Sequence, residues 1–590
     1  MTSANASPLL DPDVMQTWFG GRIPIVIGAV GHRDLNSADK TMVKAVRKEC
    51  ARLRRKYRDS PFLVLSGLAE GADRLIATVV MEELGAKLIA VLPFPADAFC
   101  CDFKTEESRQ EFLSLIGRSA ATFDVHLPSN EEWKQAGPIR DEQYARVGAL
   151  IAEQSQILLA LWGGNPPRGV GGTGHVVAWF ERGCAPSEYS IYGGNLSLFD
   201  PPQPGLSIRI DPITGESEIH NARRPSARRR RYSLLPRSSI NEILARTQSY
   251  NRDVRRQAAD SDRTPLVPPS ILSRIPITEA AAAFEQADAL AIYYGRRVRL
   301  ADRVLYLLAL AAVFAFSSID AKPLASWAFL AVMGVMAVVA IHVRGRSLDT
   351  KFLEYRSLAE AMRILYFWRM LGIKQQVWLS YLSKHGFVVR WLRHAVRGLE
   401  FTQDRRLTAT PHSLTRQELH TIAIERWIYD QINYFKAASA KSTRHYWRWT
   451  WVQRVALILT FASSALLAAM TFGYSDNVHN WREGARIVHP FGDVQIGTFI
   501  QRLQTLVGLA AAAGVAARGF LIRSADLEFA KQFATTRETF EVALNRIAEI
   551  RDEDAERDLP EVFERLGREA LLEQAEWLWL RHSRPFEAPS

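Results

Sequence analysis

Continuous apolar runs alternate with amphipathic helical patterns in the first third of the chain. The runs predict four strands, at Ile23–Val30, Pro61–Leu65, Lys87–Leu92 and Ile157–Trp162. Helical patterns cover Ala38–Tyr57 and Gly71–Leu84. Because polar residues do not interrupt the runs, both faces of each strand should be buried, as in a parallel, doubly wound sheet. We therefore predict a Rossmann-like α/β domain over residues 21–185, after an N-terminal extension over 1–20.

Longer apolar windows follow in the second half of the chain, at Val304–Ser317, Ala325–Val343, Val455–Phe472 and Leu503–Ile522. A membrane-spanning helix needs about 20 residues, with ~17 as a practical minimum. The second and third windows meet this length, the first does so only if it begins near Leu300, and the fourth carries Arg518. The pattern predicts about four transmembrane helices, at 301–318, 325–343, 454–472 and 503–522. Buried helices of a soluble all-α domain are the alternative.

Basic residues gather on one side of the two hairpins that these windows would form. They are Arg296, Arg297, Arg299 and Arg303 before the first window, Arg344 and Arg346 after the second, Lys441, Arg444, Arg448 and Arg454 before the third, and Arg518 and Arg523 after the fourth. Cytoplasmic flanks carry such an excess. We expect a multi-pass protein of the cell's inner or plasma membrane with both termini in the cytoplasm.

The two hairpins share local sequence features that indicate duplication. An aromatic pair precedes each hairpin, at Tyr293–Tyr294 and Tyr434–Phe435, and a similar string follows each, "RSLD" at Arg346–Asp349 and "RSAD" at Arg523–Asp526. Long helical patterns come after both strings. The predicted segments are two modules over 277–375 and 421–556, a helical connector over 376–420 and a helical tail over 557–590.

The net charge leaves several classes of binding partner open, and the cysteine spacing bears on disulfides and zinc. Lys and Arg number 74 against 63 Asp and Glu, a net charge of +11 that suits an anionic ligand, an anionic membrane face or nucleic acid. None of the four cysteines, Cys50, Cys100, Cys101 and Cys184, has CxxC spacing, which favours reduced cytosolic thiols over disulfides or zinc. The N-terminus lacks the basic and apolar regions of a signal peptide.

An irregular linker is predicted over residues 186–276. Within it, Leu206–His220 indicates a hairpin with a glycine turn, and four arginines run from Arg228 to Arg231. The arginine run suits either a solvated linker or contact with anionic lipid. Since no nucleic-acid-binding signature accompanies it, nucleic acid is not an expected partner.

Three glycine-rich loops follow strands of the predicted sheet. They are "GHRDL" from Gly31, "SGLAEGADR" from Ser66 and "GGNPPRGVGGTGH" from Gly163. Glycine lets backbone N–H groups approach a phosphate closely, and a following helix N-terminus adds partial positive charge. In doubly wound sheets, ligands bind at the carboxyl ends of strands. Any single loop is equally well explained as a turn or helix cap, and neither the GxGxxG nor the P-loop motif is present.

The strings "VGHRDL", "SGLAEGADRLIA" and "ILLALWGG…GGTGHVVAW" resemble the SLOG superfamily, over about 160 residues. The resemblance implies a Rossmann-like fold and a nucleotide-derived or ADP-ribose-type ligand, with no cofactor assigned with certainty. Carried onto this chain, the implied ligand contacts are Gly31, Arg33, Ser66, Gly67, Glu70, Gly71, Asp73, Gly172, Thr173 and Gly174. Arg33 would pair with phosphate, whereas Glu70 and Asp73 would take ribose hydroxyls or cap a helix. His32 and His175 are interpreted as loop or packing residues.

Enzymes of that superfamily use a PGGxGTxxE string, whose Glu helps to cleave a nucleoside monophosphate. The matching "GGTGHVVAW" lacks this Glu, which favours sensing over hydrolysis, although Glu70 or Glu181 could substitute. The hairpins and "EYRSLAEAMR" resemble SLATT domains, two-helix membrane effector modules of bacterial conflict systems. The resemblances imply a homo-oligomeric membrane effector that is gated by a nucleotide-derived ligand. Such an effector would belong to a conflict system, for instance one for antiphage defence. The alternatives are a membrane-anchored nucleotide hydrolase and a scaffold that recruits partners through its long helices.

Overall fold

The computed structural model describes most of the chain. The described residues are 17–35, 39–125, 131–135, 137–166, 169–192, 202–221, 239–257, 264–275, 277–317, 324–380, 390–407, 414–472, 486–489, 492–551 and 553–582. The chain divides into two compact units. The α/β unit comprises Met1–Leu290, Glu354–Ala423 and Phe563–Trp579, and the helical unit comprises Ala291–Leu353, Ile424–Val562 and Leu580–Ser590.

A seven-stranded sheet forms the core of the α/β unit. Its strands are β1 (Ile25–Gly31), β2 (Phe62–Ser66), β3 (Lys87–Leu92), β4 (Ala121–Asp124), β5 (Ile157–Leu161), β6 (Leu206–Ile210) and β7 (Ser217–His220). Their order across the sheet is β4-β3-β2-β1-β5-β6-β7. All neighbours pair in parallel except β6 and β7, which are antiparallel. The predicted doubly wound α/β sheet is therefore confirmed, with one antiparallel strand at its edge.

Helices surround this sheet and extend the unit. They are α1 (Lys40–Lys56), α2 (Ala72–Leu84), α3 (Ala96–Cys100), α4 (Glu106–Arg118), α5 (Pro138–Gln154), α6 (Thr173–Arg182), α7 (Ile240–Gln257), α8 (Pro269–Leu272), α12 (Val377–Ser380), α13 (Arg390–Leu407) and α14 (Arg416–Ala423), with a short 3₁₀ turn at Glu131–Lys134. Local chemistry fixes several ends. Asp39 caps α1 by accepting the Thr41 N–H at 2.8 Å, and Gly85 ends α2 in the left-handed conformation.

The described part of the predicted linker is ordered structure, which corrects the expectation of an irregular segment. The hairpin at Leu206–His220 forms as predicted, but β6 also pairs with β5 and thereby continues the main sheet. Helix α7 is bonded to the segments that precede β1 and β2: the Asn251 side-chain amide donates to the Ile23 carbonyl oxygen at 2.8 Å and to the Ser60 hydroxyl at 2.9 Å. The sheet unit therefore extends past residue 185. Residues 228–231 lie outside the described ranges.

The helical unit contains most of the long helices. The remaining helices of the chain are α9 (Thr278–Ser317), α10 (Leu324–Gly345), α11 (Leu348–Met370), α15 (Asp430–Phe472), α16 (Ile496–Ser524), α17 (Asp526–Glu549) and α18 (Ala555–His582). A π-helical segment, Ile424–Tyr429, precedes α15, and a small hairpin joins β8 (Arg486–His489) to β9 (Gly492–Gln495). Residues from both units belong to α9, α11 and α18.

Three helical stretches among the described residues are long and apolar enough to cross a membrane: Leu324–Met370, Arg416–Ala469 and Arg502–Glu549. They contain the second and fourth predicted windows and most of the third, which extends to Phe472. The first window, Val304–Ser317, lies at the end of α9 directly after Asp302 and Arg303 and is not among the three. Three such helices support membrane association, and a fourth span stays a prediction.

Both repeated strings lie at helix corners. "RSLD" separates α10 from α11, and "RSAD" separates α16 from α17. At each corner the residue before the new helix, Ser347 or Ala525, adopts the left-handed conformation with φ of 50°. A left-handed residue that is not glycine is uncommon, and both corners have one. It is the second residue of "RSLD" but the third of "RSAD", so the turn is displaced by one residue relative to the string.

Candidate functional site

A cavity of about 420 Å³ opens at the carboxyl ends of the parallel strands. Chain order reverses between β1 and β5, because β2, β3 and β4 lie on one side of β1 and β5 lies on the other. This is the topological switch point at which doubly wound sheets bind ligands. Residues of all three glycine-rich loops line the cavity, so the tertiary structure brings together loops that are far apart in sequence.

The first loop leaves β1 and supplies Gly31 and Arg33. A Cβ atom at Gly31 would lie 2.3 Å from the Cβ of Ala72, so only glycine allows the start of α2 to come this close. The Arg33 guanidinium lies 5.0 Å from the ring centroid of Tyr144 on α5. This cation–π contact holds the guanidinium at the cavity wall.

The second loop supplies Gly67 and Asp73. The Asp73 carboxylate accepts the backbone N–H of Gly31 at 2.9 Å and thereby ties the second loop to the first. Burial raises the pKa of this carboxyl to about 7, against the lowering effects of the Arg33 charge and of the N–H groups of Gly31 and Ala69. The cavity therefore holds a carboxyl group that changes charge near neutral pH.

The third loop leads into α6 through Gly172, Thr173 and Gly174, all of which line the cavity. No side chain caps this helix, so its first turn presents backbone amides to the cavity. The Thr173 hydroxyl donates to the Gly31 carbonyl oxygen at 2.7 Å and joins the third loop to the first. Gly171 has φ of +79°, and a Cβ there would lie 2.5 Å from the Cα of Ala145.

Three predicted contact residues are not among the described residues that line the cavity: Ser66, Glu70 and Gly71. The Ser66 hydroxyl accepts the Leu68 N–H at 3.1 Å and shapes the turn. Glu70 accepts a hydrogen bond from the Ser108 hydroxyl on α4. Gly71, with φ of +80°, supports the first loop, because a Cβ there would lie 2.6 Å from the Arg33 carbonyl oxygen. These residues build the loops around the site.

The cavity wall also includes residues that the sequence did not single out, among them Asp34, Asp141, Tyr144, Val147, Gly148, Ile151 and Trp162. Five of these lie on α5, at the three- and four-residue spacing of one helix face. Tyr144 donates to Asp102 at 2.5 Å, and burial followed by this hydrogen bond raises the pKa of Tyr144 to about 12. Because α5 is buried on nearly all of its sides, no one-sided apolar pattern in the sequence could single out its cavity face.

Of the two histidines and two glutamates considered in the sequence, His32 belongs to the first loop and lines the cavity. His175 stacks on Trp179, with ring centroids 5.6 Å apart, as a packing residue would. Glu181 accepts from Arg209 on β6 at 2.9 Å and, like Glu70, does not line the cavity. Within the described ranges no group of three His, Cys, Asp or Glu side chains could hold a metal ion.

The arrangement suits a ligand that combines an anionic group with hydroxyls. Arg33 and the first turn of α6 offer a cation and amide donors. Asp34, Asp73 and Asp141 offer acceptors, while Phe99 and Trp162 provide apolar and aromatic surface. Comparisons of the chain with protein-family models, with curated proteins and with solved structures found no match. The fold is a parallel-dominated α/β sheet like those of nucleotide-binding proteins, with a cavity at its switch point, and the family resemblances remain predictions.

Proposed function

We propose that this protein is a membrane effector whose SLOG-like α/β unit senses a nucleotide-derived ligand and controls SLATT-like membrane helices. One observation carries the proposal. Three glycine-rich loops enclose a single cavity at the switch point, in a chain that also has three helices able to cross a membrane. A cavity of about 420 Å³ falls within the range of small-molecule sites, roughly 300–1,000 Å³.

The chemistry of the cavity supports a nucleotide-derived ligand. A phosphate would lie against Arg33 and the amides of Thr173 and Gly174. Ribose hydroxyls would donate to carboxylates such as Asp34 or Asp141. The faces of Trp162 and Phe99 would pack against a base, since buried aromatic rings favour stacking. Among the described residues that line the cavity, Arg33 is the cation that would pair with a phosphate.

Gating requires that the ligand bind the active state more tightly than the resting state. A shift of a two-state equilibrium from 1:99 to 99:1 needs ~5.5 kcal/mol of differential binding, which several subunits of a homo-oligomer would share. The helices α9, α11 and α18 each contain residues of both units, so the polypeptide chain passes from one unit to the other within a helix. Ligand binding would change the packing of these helices and rearrange the membrane segments.

Asp73 supports a second candidate, the membrane-anchored nucleotide hydrolase. A carboxyl group with a pKa near 7 is suited to general acid–base catalysis, and this one lines the cavity. The two glutamates considered as substitutes for the missing catalytic Glu instead bond to Ser108 and Arg209. Product release from AMP, ADP-ribose or NAD by the full chain, abolished by Asp73→Asn, would favour this candidate.

The decisive experiment measures dye leakage from liposomes that contain the full chain, with AMP, ADP-ribose or NAD added in turn. We expect one of these ligands to raise leakage. Arg33→Ala should weaken its effect by about 10–100-fold, because a charge-assisted bond to phosphate is worth roughly 1.5–3 kcal/mol. Gly169→Trp should abolish the effect by filling the cavity, since Gly169 lines it and has open space beside it.

Gly117→Trp is the matched control, because Gly117 also has open space but lies on α4, outside the cavity lining. It should leak like the unchanged protein. Equal ligand-dependent leakage from Gly169→Trp and Gly117→Trp would contradict a sensor site in the cavity. Ligand binding without leakage would contradict gating and leave the binding site in place.

A further inference from the structure

Unpaired cations border the apolar end of α9. Arg296, Arg299 and Arg303 are exposed and recur at the three- and four-residue spacing of one helix face, directly before the apolar run from Val304. None of the three forms an ion pair with a residue that the structure describes. Arg523 in the same unit differs, since it pairs with Asp302 at 2.9 Å.

A second basic face lies on α15, just before the third apolar window. Its exposed residues are Lys441, Arg444, Trp447, Arg448 and Trp451, all on one side of the helix. The two tryptophans are 56% and 66% exposed. An adjoining side carries His445 and Trp449, whose ring centroids lie 5.5 Å and 4.5 Å from that of Phe520 on α16. Among the described residues, packing on α16 therefore involves this adjoining side, and the basic, aromatic side stays exposed.

Contacts with the Phe520 ring show that the ends of the two basic faces nearest the apolar segments lie at a similar height along the helix axes. Tyr306 of α9 and Trp449 of α15 both contact the Phe520 ring, at centroid distances of 5.3 Å and 4.5 Å. Arg303 precedes Tyr306, and Arg448 precedes Trp449, by less than one helical turn of about 5.4 Å. Exposed Arg518 lies within the same distance of Phe520 on α16. Arg303, Arg448 and Arg518, which form no ion pair within the described parts of the chain, thus lie in one band across three helices, close to or within their apolar segments.

We propose that this band, formed by Arg296, Arg299, Arg303, Lys441, Arg444, Arg448 and Arg518, binds the headgroups of anionic phospholipids in the leaflet that the helices enter. Each cation near an anionic surface contributes about 1 kcal/mol. Tryptophans at headgroup level anchor a helix at the membrane interface, which matches the exposure of Trp447 and Trp451. Apolar segments follow the basic residues on α9 and α15, and Arg518 lies near the end of the apolar segment of α16. This continuity favours a bilayer over a soluble polyanion beside the band.

The crowding of like charges also supports an anionic occupant. Although the Arg299 side chain is exposed, partial desolvation, followed by the charges of Arg303 and Arg296, lowers its pKa. A lipid phosphate between these side chains would relieve their mutual repulsion. This inference depends on membrane insertion and is independent of the ligand proposed for the α/β cavity.

The test uses the full chain, extracted in mild detergent from vesicles of 20% phosphatidylglycerol and 80% phosphatidylcholine, with retained lipids counted by mass spectrometry. We expect the retained lipid to contain at least about threefold more phosphatidylglycerol than the vesicles, because several cations at ~1 kcal/mol each act on it. Raising NaCl from 50 to 500 mM before extraction should reduce the enrichment, since salt screens exposed charges. The variant Arg299→Gln/Arg303→Gln/Arg444→Gln/Arg448→Gln should return the ratio to that of the vesicles.

The matched control removes four exposed cations from α1 by Lys44→Gln, Lys48→Gln, Arg54→Gln and Arg55→Gln, and should keep the full enrichment. The proposal would be overturned if the unchanged protein retained the two lipids in the same ratio as the vesicles. This outcome does not depend on whether the variants fold. Equal loss in the two variants would also overturn it, because net charge alone would then explain the effect. Tighter binding of a short DNA duplex than of phosphatidylglycerol, lost only in the first variant, would assign the band to nucleic acid instead.

Discussion

The two units of this protein differ in the solvent exposure of the same apolar residue types. In the α/β unit Leu63, Ile89 and Leu158 are fully buried between the sheet and its helices. In the helical unit Leu307 and Phe461 are 67% and 76% exposed. Exposure on this scale is not stable in water over a large contiguous surface. In the α/β unit protein supplies the apolar medium that the hydrophobic effect requires. In the helical unit we expect lipid to supply it, which the substitutions below test.

Charged residues show the reverse contrast. Arg74 of the α/β unit is fully buried, and its guanidinium donates to Leu68 and Ser108 and pairs with Glu111 at 2.9 Å. The arginines beside the apolar segments of α9 and α15 are exposed and unpaired within the described chain. A buried charge needs partners inside the protein, whereas a charge at a membrane surface finds them in water and lipid.

The largest effect that we expect tests packing in the α/β unit, through Gly71→Val. Valine at φ of +80° is strained, and its Cβ would lie within 2.8 Å of the carbonyl oxygens of His32, Arg33 and Leu35. We expect a loss of stability of about 4 kcal/mol or more. Thermal unfolding of the detergent-solubilised chain measures it, with ligand binding lost in parallel.

Gly85→Ala is the control for backbone strain alone, because Gly85 also has a positive φ, +61°, but a Cβ added there would meet no other atom within 4 Å. This change should lower stability by only about 1 kcal/mol. Similar unfolding temperatures for Gly71→Val and Gly85→Ala would show that the first loop does not pack on Gly71.

A smaller effect tests the surroundings of the helical unit, through Phe461→Lys on α15. If Phe461 faces lipid, lysine near the middle of the span should disfavour insertion by roughly 3 kcal/mol. The fraction of the chain that resists alkaline extraction from membranes should fall. In a soluble helical unit the same change would be harmless, because lysine at an exposed site is well solvated by water.

Val542→Lys provides the comparison, since Val542 is also exposed, at 54%, but lies on α17 outside the apolar windows. It should leave extraction unchanged. A Phe461→Lys protein that stays in the membrane as well as Val542→Lys would argue against lipid around α15.

The smallest effect depends on pH and concerns Asp73→Asn. The folded-state pKa of Asp73, about 7, lies above its ordinary value of 3.8, so the folded protein holds this proton more tightly than the unfolded chain does. The stability from this group is complete below pH ~4 and is lost as pH rises through about 7. Thermal unfolding between pH 4 and 8 should show this decline in the unchanged protein and a flatter profile in Asp73→Asn.

Binding of an anionic ligand provides an independent readout of the same carboxyl group. Affinity should rise below pH 7, where Asp73 loses its charge, and the Asn variant should lack that rise. Profiles of equal slope for the two proteins would mean that Asp73 does not titrate in this range.

Much of the fold followed from local patterns. The bounds of β3 match the predicted Lys87–Leu92, and the other predicted strands agree within two residues, because an apolar run between polar turns limits a buried strand at both ends. The cavity was predictable as a meeting of three loops, since carboxyl ends of parallel strands share one edge. Gly31, Arg33, Gly67, Asp73 and Gly172–Gly174 indeed line it.

Other features could not be obtained this way. Ser66, Glu70 and Gly71 lie in the same loop as Gly67 and Asp73, yet they support the loop from outside the cavity. Sequence spacing in an irregular loop carries no period that tells one side from the other. The pairing of β6 with β5 could not be predicted from the sequence either. The hairpin lies more than forty residues after β5, and its pairing depends on which edge of the folded sheet is open to it.

The sequence by itself determined which segments form buried strands, which helices are apolar enough for a membrane and where glycine permits tight turns, because these depend on the residue types within a short stretch. The tertiary structure alone decided which side chains of those turns face the cavity, that α5 forms its far wall, and that Phe520 brings the arginines of three helices to one level. Those outcomes depend on contacts between residues distant along the chain, and such contacts exist only once the helices and strands have packed.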